Sequence, residues 1–361
     1  MGTNEFTNRE LRFLTLEEAE TVTFNSEEAL AKGCWVKLIC GASNEDLPSI
    51  ADLCALYATA GVHCIDVAAD TAVVKTARQS LDWAQELTGI RPWLMISLSD
   101  GEDEHFRKAF FDPKHCPLDC SRPCQLVCPA KAITNNEGIN PKSCYGCGRC
   151  LPTCPLGLIQ EKNLHLSIKD LSVIISELRP DAIEIHTAPG RAKKFQDTMK
   201  EIMSAKVPLK RIAVSCGLQG YGITVEELAQ ELWERHSCIR LYGQKAIWQL
   251  DGRRMSGDLG KSTTKAAVAL WQEIHRLAPP GPLQLAGGTN EQTIKYFPDQ
   301  NGPSGIAFGG IARKLIQPWL LKADTHQVSL KDWPEGWQEA LDEARKLIKP
   351  WLLRRSGNQT C

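Results

Sequence analysis

Trp35-Val-Lys-Leu-Ile-Cys-Gly41, Cys64-Ile-Asp-Val-Ala68 and Arg91-Pro-Trp-Leu-Met-Ile-Ser-Leu98 are three short apolar runs spaced by two longer stretches of helical periodicity, at 47–59 and 71–87. Each run has the length of a buried strand, and turn-forming residues bound it. Asn44 and Asp46 stand where an N-cap is needed, and Gly61 and Gly89 where a helix must stop. Strands alternating with helices predict a parallel sheet with helical crossovers. The alternation halts near Asp100 and resumes after 165. Strands are then expected at Ala182-Ile-Glu-Ile-His186, Arg211-Ile-Ala-Val-Ser215, Ile247-Trp-Gln-Leu-Asp251, Pro282-Leu-Gln-Leu-Ala286 and Gly305-Ile-Ala-Phe308, with helices at 171–178, 191–205, 225–236 and 263–277. Eight strands in a βα series close a barrel. The expected fold class is α/β, a (β/α)8-barrel-like parallel sheet. An open doubly wound α/β sheet is the alternative, because Cys238-Ile-Arg-Leu-Tyr242 competes for the sixth strand.

The interruption is rich in cysteine. Cys116, Cys120, Cys124 and Cys128-Pro129 form one run, and Cys144, Cys147, Cys150 and Cys154-Pro155 a second. The second has the C-x2-C-x2-C-x3-C-P spacing of bacterial ferredoxins, and soft thiolates at that spacing call for iron–sulfur clusters. Zinc normally pairs C-x2-C with a distant second pair, and the C-x3-C-x2-C of radical SAM sites is missed by one residue. Cys128-Pro-Ala-Lys-Ala-Ile133 mirrors Cys154-Pro-Leu-Gly-Leu-Ile159, an internal repeat, and Thr134-Asn-Asn-Glu-Gly-Ile-Asn-Pro141 between them has hairpin chemistry. Over about 112–162 the chain resembles the two-cluster ferredoxin module. That resemblance implies two [4Fe–4S] clusters with crossed ligands: Cys116, Cys120, Cys124 and Cys154 on cluster I, Cys128, Cys144, Cys147 and Cys150 on cluster II. Gly146 and Gly148 would let backbone amides reach the sulfurs. The first run departs from the family in its x3 gaps, which predict a looser grip and a cluster I able to stand as a [3Fe–4S] form.

Alternation within the strands aims Asp66, Glu184, His186, Gln249, Asp251 and Gln284 at the barrel axis. A structural polar network and a ligand site are both open readings of that set. Two glycine-rich loops follow the last two strands, with Gly287, Gly288, Thr289 and Asn290 in one and Gly309 and Gly310 in the other. Loops in this position often bind phosphate in barrels, so a flavin or other phosphate ligand is the reading set against tight turns. Gly260-Lys261-Ser262 suggests a P-loop, but Met255 stands where its first glycine belongs.

The 361 residues carry a net charge of -1 and are 43% hydrophobic. A sizeable core is possible, and no basic field favours nucleic acid. No apolar run approaches the ~20 residues of a membrane-spanning helix. Residues 1–10 are polar, so no signal peptide is expected and a cytoplasmic location is the default. Cys34, Cys40, Cys54, Cys64, Cys216 and Cys238 sit in apolar segments and are expected as buried free thiols; Cys361 is the last residue.

The cysteine module, Trp248-Gln-Leu-Asp-Gly252, Ser256-Gly-Asp-Leu-Gly260, Gln284-Leu-Ala-Gly-Gly-Thr-Asn290 and Ala307-Phe-Gly-Gly-Ile-Ala-Arg-Lys314 together resemble the light-dependent period protein family of cyanobacteria, over nearly the whole chain. The resemblance implies a redox-sensing input to the circadian clock and contact with clock-associated proteins. The expected domains are a lead-in at 1–30 with a short helix at 16–19, a barrel at 31–100 and 165–325, an inserted ferredoxin-like module at 101–164, and a C-terminal helix and tail at 326–361. Trp333, Trp337, Leu341 and Leu347 of that helix are expected in the core. The favoured function is an iron–sulfur redox sensor, with no complete catalytic constellation in sight. The alternative is an oxidoreductase passing electrons to a flavin or small-molecule substrate at the barrel mouth.

Overall fold

The computed structural model describes residues 24–134, 138–163, 166–255, 259–298 and 301–354. The expected helix at 16–19, the tip of the cysteine-module hairpin, the first residues of the 256–260 motif and Cys361 lie outside them. The chain begins with helix α1 (Ser26–Lys32), β1 (Trp35–Ile39), α2 (Leu47–Ala60), β2 (Cys64–Ala68), α3 (Thr71–Thr88) and β3 (Trp93–Ser99). The inserted segment follows with β4 (Arg107–Phe110), α4 (Pro123–Leu126), β5 (Ile133–Thr134), β6 (Gly138–Ile139) and β7 (Gln160–Asn163). The βα series then resumes: α5 (Leu171–Leu178), β8 (Ala182–His186), α6 (Ala192–Ser204), β9 (Arg211–Cys216), α7 (Val225–Leu241), β10 (Ala246–Asp251), α8 (Thr264–Ile274), β11 (Leu283–Ala286), β12 (Gly305–Phe308), α9 (Gly310–Thr325) and α10 (Pro334–Leu352).

Strands β1, β2, β3, β8, β9, β10, β11 and β12 pair in that order, and β12 returns to β1, so the sheet is a closed barrel and not an open one. Every ladder in it is parallel. The insertion leaves after the third barrel strand. Its ends are clasped by the antiparallel pair β4–β7, and inside it β5 pairs with β6 as the hairpin chemistry predicts.

The helix caps explain several boundaries. Asp46 accepts the amide of Ser49, and Asp70 accepts those of Ala72 and Val73. Gly61 and Gly89 end α2 and α3 in the left-handed conformation that glycine adopts freely. Three readings need correction. The strand candidate Cys238–Tyr242 belongs to the end of α7, whose buried Leu228, Leu232, Arg235 and Ile239 recur at helical spacing. Gly310 is not loop but the first residue of α9, a helix the sequence reading missed behind Gly309-Gly310 and Pro318; Ala312, Ile316, Leu320 and Ala323 give it a buried face. The segment 24–30 is not only a lead-in, because it contributes to α1.

Two cores result. The larger lies between the strands and the surrounding helices and includes Trp337, Leu341 and Leu347 of α10. Trp337 meets Trp83 of α3 edge to face at 5.2 Å. The smaller lies inside the barrel, at the end where the strands begin. Trp35, Cys64, Trp93, Met95, Ala182, Ala213 and Ile247 fill it, and Ala29 and Leu30 of α1 plug it from below. The open end of the barrel is therefore the opposite one, where the strands finish and active-site loops of such barrels gather. Among the described residues no helix is long and apolar enough to cross a membrane.

Candidate functional site

The eight cysteines of the insertion fall into two neighbourhoods. Cys128, Cys144, Cys147 and Cys150 line one small hollow together with Ala109, Ile133 and Ile139. In a second, Cys116 has Cys120 and Cys154 as electrostatic neighbours, and Cys124 has Cys154 and Cys116. The fourth cysteine of each run thus sits with the first three of the other. The two Cys-Pro turns are alike: the amide of Ala132 points at Cys128 Sγ (3.3 Å) and that of Leu158 at Cys154 Sγ (3.4 Å). Burial pushes the Cys150 thiol up to about 12, and the neighbouring Cys147, Cys144 and Cys128 push the same way. Burial opposes ionisation of Cys154 too, but the amides of Leu158, Leu156, Ile159 and Gly157 outweigh it and hold this thiol below the usual range. Four soft sulfurs facing one hollow suit a metal centre that neutralises them.

The two neighbourhoods meet the rest of the molecule differently. Beside the cysteines of the Cys116, Cys120, Cys124 and Cys154 group, Leu118, Leu126 and Leu156 stand exposed. The Cys128, Cys144, Cys147 and Cys150 group is bolted to the barrel. Arg107 Nε donates to the Gly146 carbonyl (3.1 Å) and its Nη1 pairs with Glu161 (2.7 Å). Arg149 donates to the Met255 carbonyl (3.0 Å), and Arg313 of α9 lies 4.8 Å over the Tyr145 ring. Gly146 holds φ 75°, and a Cβ there would come within 2.1 Å of the Arg107 carbonyl oxygen; one on Gly148 (φ 70°) would strike the Arg107 guanidinium at 2.2 Å. These glycines serve the close seat of the cysteine loop on Arg107, a need additional to the expected approach of amides to sulfur.

At the barrel mouth Asp66, Glu184, His186, Gln249 and Gln284 of the axis-facing set are buried, and Asp251, the last residue of β10, is half-buried. One hydrogen-bond chain runs through it. Trp35 Nε1 donates to Gln284 (2.6 Å), Gln284 to Gln249 (2.6 Å), and Gln249 to Glu184 (2.8 Å). Lys37, missed by the sequence reading, ion-pairs with Glu184 and reaches Asp66 at 3.7 Å, with its side chain wholly buried. It sits between Val36 and Leu38, so the alternation that selected Asp66 was available for it. Burial works against the Lys37 charge, but Glu184 and Asp66 outweigh it and raise its pKa, so it is a fixed cation and not a nucleophile. Burial likewise opposes the Glu184 carboxylate, and Lys37 and His186 keep it ionised. Burial pushes Asp66 up, against the pull of Lys37, and Asp251 up to about 6. His186 donates to Glu184 (3.1 Å); that bond and the charge of Asp103 outweigh burial and raise it to about 9.

Above this layer is a cavity of about 70 Å³ lined by Ser97, His105, Tyr145, His186, Asp251 and Arg313 among others. Gly287, Gly288, Thr289, Gly309 and Gly310 line it as well, so the two glycine loops do converge there. Their side chains are committed elsewhere, however: Thr289 donates to the Ala307 carbonyl and Asn290 to that of Gly260 (2.8 Å). Gly287 (φ 64°) lets the loop pass within contact of the Arg253 backbone. Small-molecule sites usually measure ~300–1,000 Å³, and this cavity is the size of a few waters or a small ion.

A family model described as the iron–sulfur cluster-binding domain of light dependent period A matches residues 116–165, and one described as the C-terminal domain of light dependent period A matches 174–350. The chain is 44% identical over 326 residues to Light dependent period A of Synechococcus elongatus, covering 88% of this chain and 91% of that protein. It is 29% identical over 85 residues to an uncharacterized ferredoxin of Methanocaldococcus jannaschii, covering 23% of this chain and 56% of that one. Among solved structures, a truncated 3-deoxy-D-arabino-heptulosonate 7-phosphate synthase from Thermotoga maritima aligns with 13% identity and a TM-score of 0.40, over 82% of this chain and 88% of that one.

Proposed function

The chain belongs to the light dependent period A family and is an iron–sulfur protein of that type, and from that premise we propose that it is a two-cluster redox sensor. Cys116, Cys120, Cys124 and Cys154 hold cluster I, and Cys128, Cys144, Cys147 and Cys150 hold cluster II, each a [4Fe–4S] centre, with cluster I the one able to lose an iron. The observation that carries the reading is the crossed grouping of the eight thiols. Cluster I, rimmed by Leu118, Leu126 and Leu156, exchanges electrons with a soluble carrier. Cluster II passes the change of charge to the barrel through Tyr145 and Arg149, which tie its loop to the mouth, and through Arg107 of β4, on which the loop is seated. By its family the output is circadian period, delivered through clock-associated proteins in response to photosynthetic redox state.

Anaerobic purification with iron and sulfide analysis, followed by a potentiometric titration read by EPR, tests this. About eight irons per chain and two reversible one-electron steps are expected. Iron for a single centre, or extraction of a stoichiometric flavin, would sink it. The second reading, an electron-transferring enzyme, draws on the charged cluster at the mouth; sustained turnover of a reduced carrier with a small-molecule acceptor would favour it.

A further inference from the structure

The loop after β3 brings Asp103 and His105 over the end of β8, where His186 points up from the barrel. Asp103 Oδ1 lies 2.6 Å from His105 Nδ1 and 3.7 Å from His186 Nδ1. One donor atom from each of the three lies within 4.8 Å of the others. The imidazoles of His105 and His186 lie with ring centroids 4.6 Å apart, tilted by 53°. We propose that Asp103, His105 and His186 form a site for one divalent first-row transition ion, zinc or ferrous iron, at the barrel mouth and distinct from the cysteine-held iron.

Three further features support a built site over a chance cluster. First, His186 carries the supporting bond that metal-ligating histidines almost always have: its Nε2 donates to Glu184 (3.1 Å), which fixes the ring and leaves Nδ1 toward Asp103. Glu184 is itself held by Lys37 and Gln249, so the orienting group cannot swing away. Second, Asp103 is fixed by the amide of His105, which its Oδ1 accepts at 2.8 Å, and Phe106 packs edge-on against the His186 ring at 5.3 Å. Third, the site is closed below and open above. The Asp103 and His186 side chains are almost wholly shielded, and His105 is about one-third exposed. Both histidines line the mouth cavity beside Ser97 and Asp251. Two histidines and one carboxylate with open positions are the donor set of catalytic zinc sites and of non-haem ferrous sites. The donor spacings bracket those set by metal–ligand distances of ~2.0–2.2 Å. Tyr145, the residue after Cys144, lines the same cavity, so this ion would stand beside cluster II.

The experiment uses the full chain with its clusters loaded, gel-filtered anaerobically against a mild chelator, and titrated with Zn²⁺ by calorimetry while iron is assayed before and after. Wild type is expected to take up about one zinc per chain with no loss of iron, and His105→Ala and Asp103→Asn to weaken that uptake at least ~100-fold. Both variants are expected to keep wild-type iron, sulfide and circular dichroism. Because His105 is the most exposed of the three, its variant tests the site without disturbing the barrel interior. Absent uptake, uptake equal in the variants, or uptake matched by lost iron would overturn the proposal. Iron and sulfide content are read separately, so failure here leaves the two-cluster reading standing.

Discussion

The two cysteine groups have the same number of sulfurs and the same Cys-Pro turn, yet they live in different mechanical settings. The group of Cys128, Cys144, Cys147 and Cys150 shares its hollow with Ala109 of β4 and Ile133 of β5, is held to β4 by Arg107, and is tied to the barrel by Arg149 and Tyr145. The group of Cys116, Cys120, Cys124 and Cys154 has Leu118, Leu126 and Leu156, each two residues along the chain from one of its cysteines, facing solvent. An internal repeat has been divided into an anchored half and an outward half. Ligand geometry alone does not decide what a cluster can do; what the loop around it touches decides whether a change of charge is felt by the fold or offered to a visitor.

The largest effect should come from the anchored half. Cys150→Ala is expected to lose roughly half the iron and to lower the thermal midpoint of the whole protein, because metal binding there is folding energy. Cys116→Ala is expected to lose iron or to give a three-iron EPR signal while the barrel melts as in wild type. Equal melting losses in the two variants would erase the distinction. Next in size is a pair of glycines. Gly146→Ala must place a Cβ 2.1 Å from the Arg107 carbonyl at φ 75°, whereas Gly157→Ala, at φ 62°, meets nothing within 4 Å. Denaturant unfolding should show a cost of about 2–4 kcal/mol for the first and about 1 kcal/mol for the second. Comparable costs would mean that the anchored loop is not seated on Arg107. Arg107→Leu removes the cation seated on the loop of Gly146 and Gly148 that carries Cys147 and should lower the potential of one cluster only, in a titration that resolves both; two shifted potentials would count against separate settings. Smallest in stability is Leu118→Ser, within about 0.5 kcal/mol of wild type because the side chain is fully exposed. Its effect should appear in stopped-flow reduction by a protein carrier, and an unchanged rate would move the exchange surface elsewhere.

Much of the barrel was legible because its strands obey a simple rule. Runs such as Cys64–Ala68 and Ala182–His186 are short, apolar and bounded by caps, and they appear in the structure at the residues where the pattern puts them. Helix α9 was hidden because Gly309, Gly310 and Pro318 are local breakers, and only the packing of Ala312 and Ile316 against the strands overrules them. Lys37 was passed over although it alternates with Val36 and Leu38, since a lone lysine in an apolar strand gains its meaning only from the carboxylates opposite it. Asp103 and His105 carried no sequence signal: they stand two apart in a loop, and their partner His186 is on a strand reached only after the whole insertion. The cysteine spacing announced the module, but the seat of Gly146 on Arg107 depends on two segments meeting in space.

The barrel's seam has a consequence for how the chain is made. The last ladder to form joins β1 to β12, and Arg354 seals it by donating to the carbonyls of Gly33 (2.9 Å) and Pro303 (2.7 Å). The module's own pairings, β4 with β7 and β5 with β6, are complete once residue 163 has emerged. During synthesis the cysteines are therefore gathered while the first strand still waits for its final neighbour. Iron can be delivered to a nascent chain whose ring is unfinished, and an undelivered module would leave the ring to close around an unanchored insert.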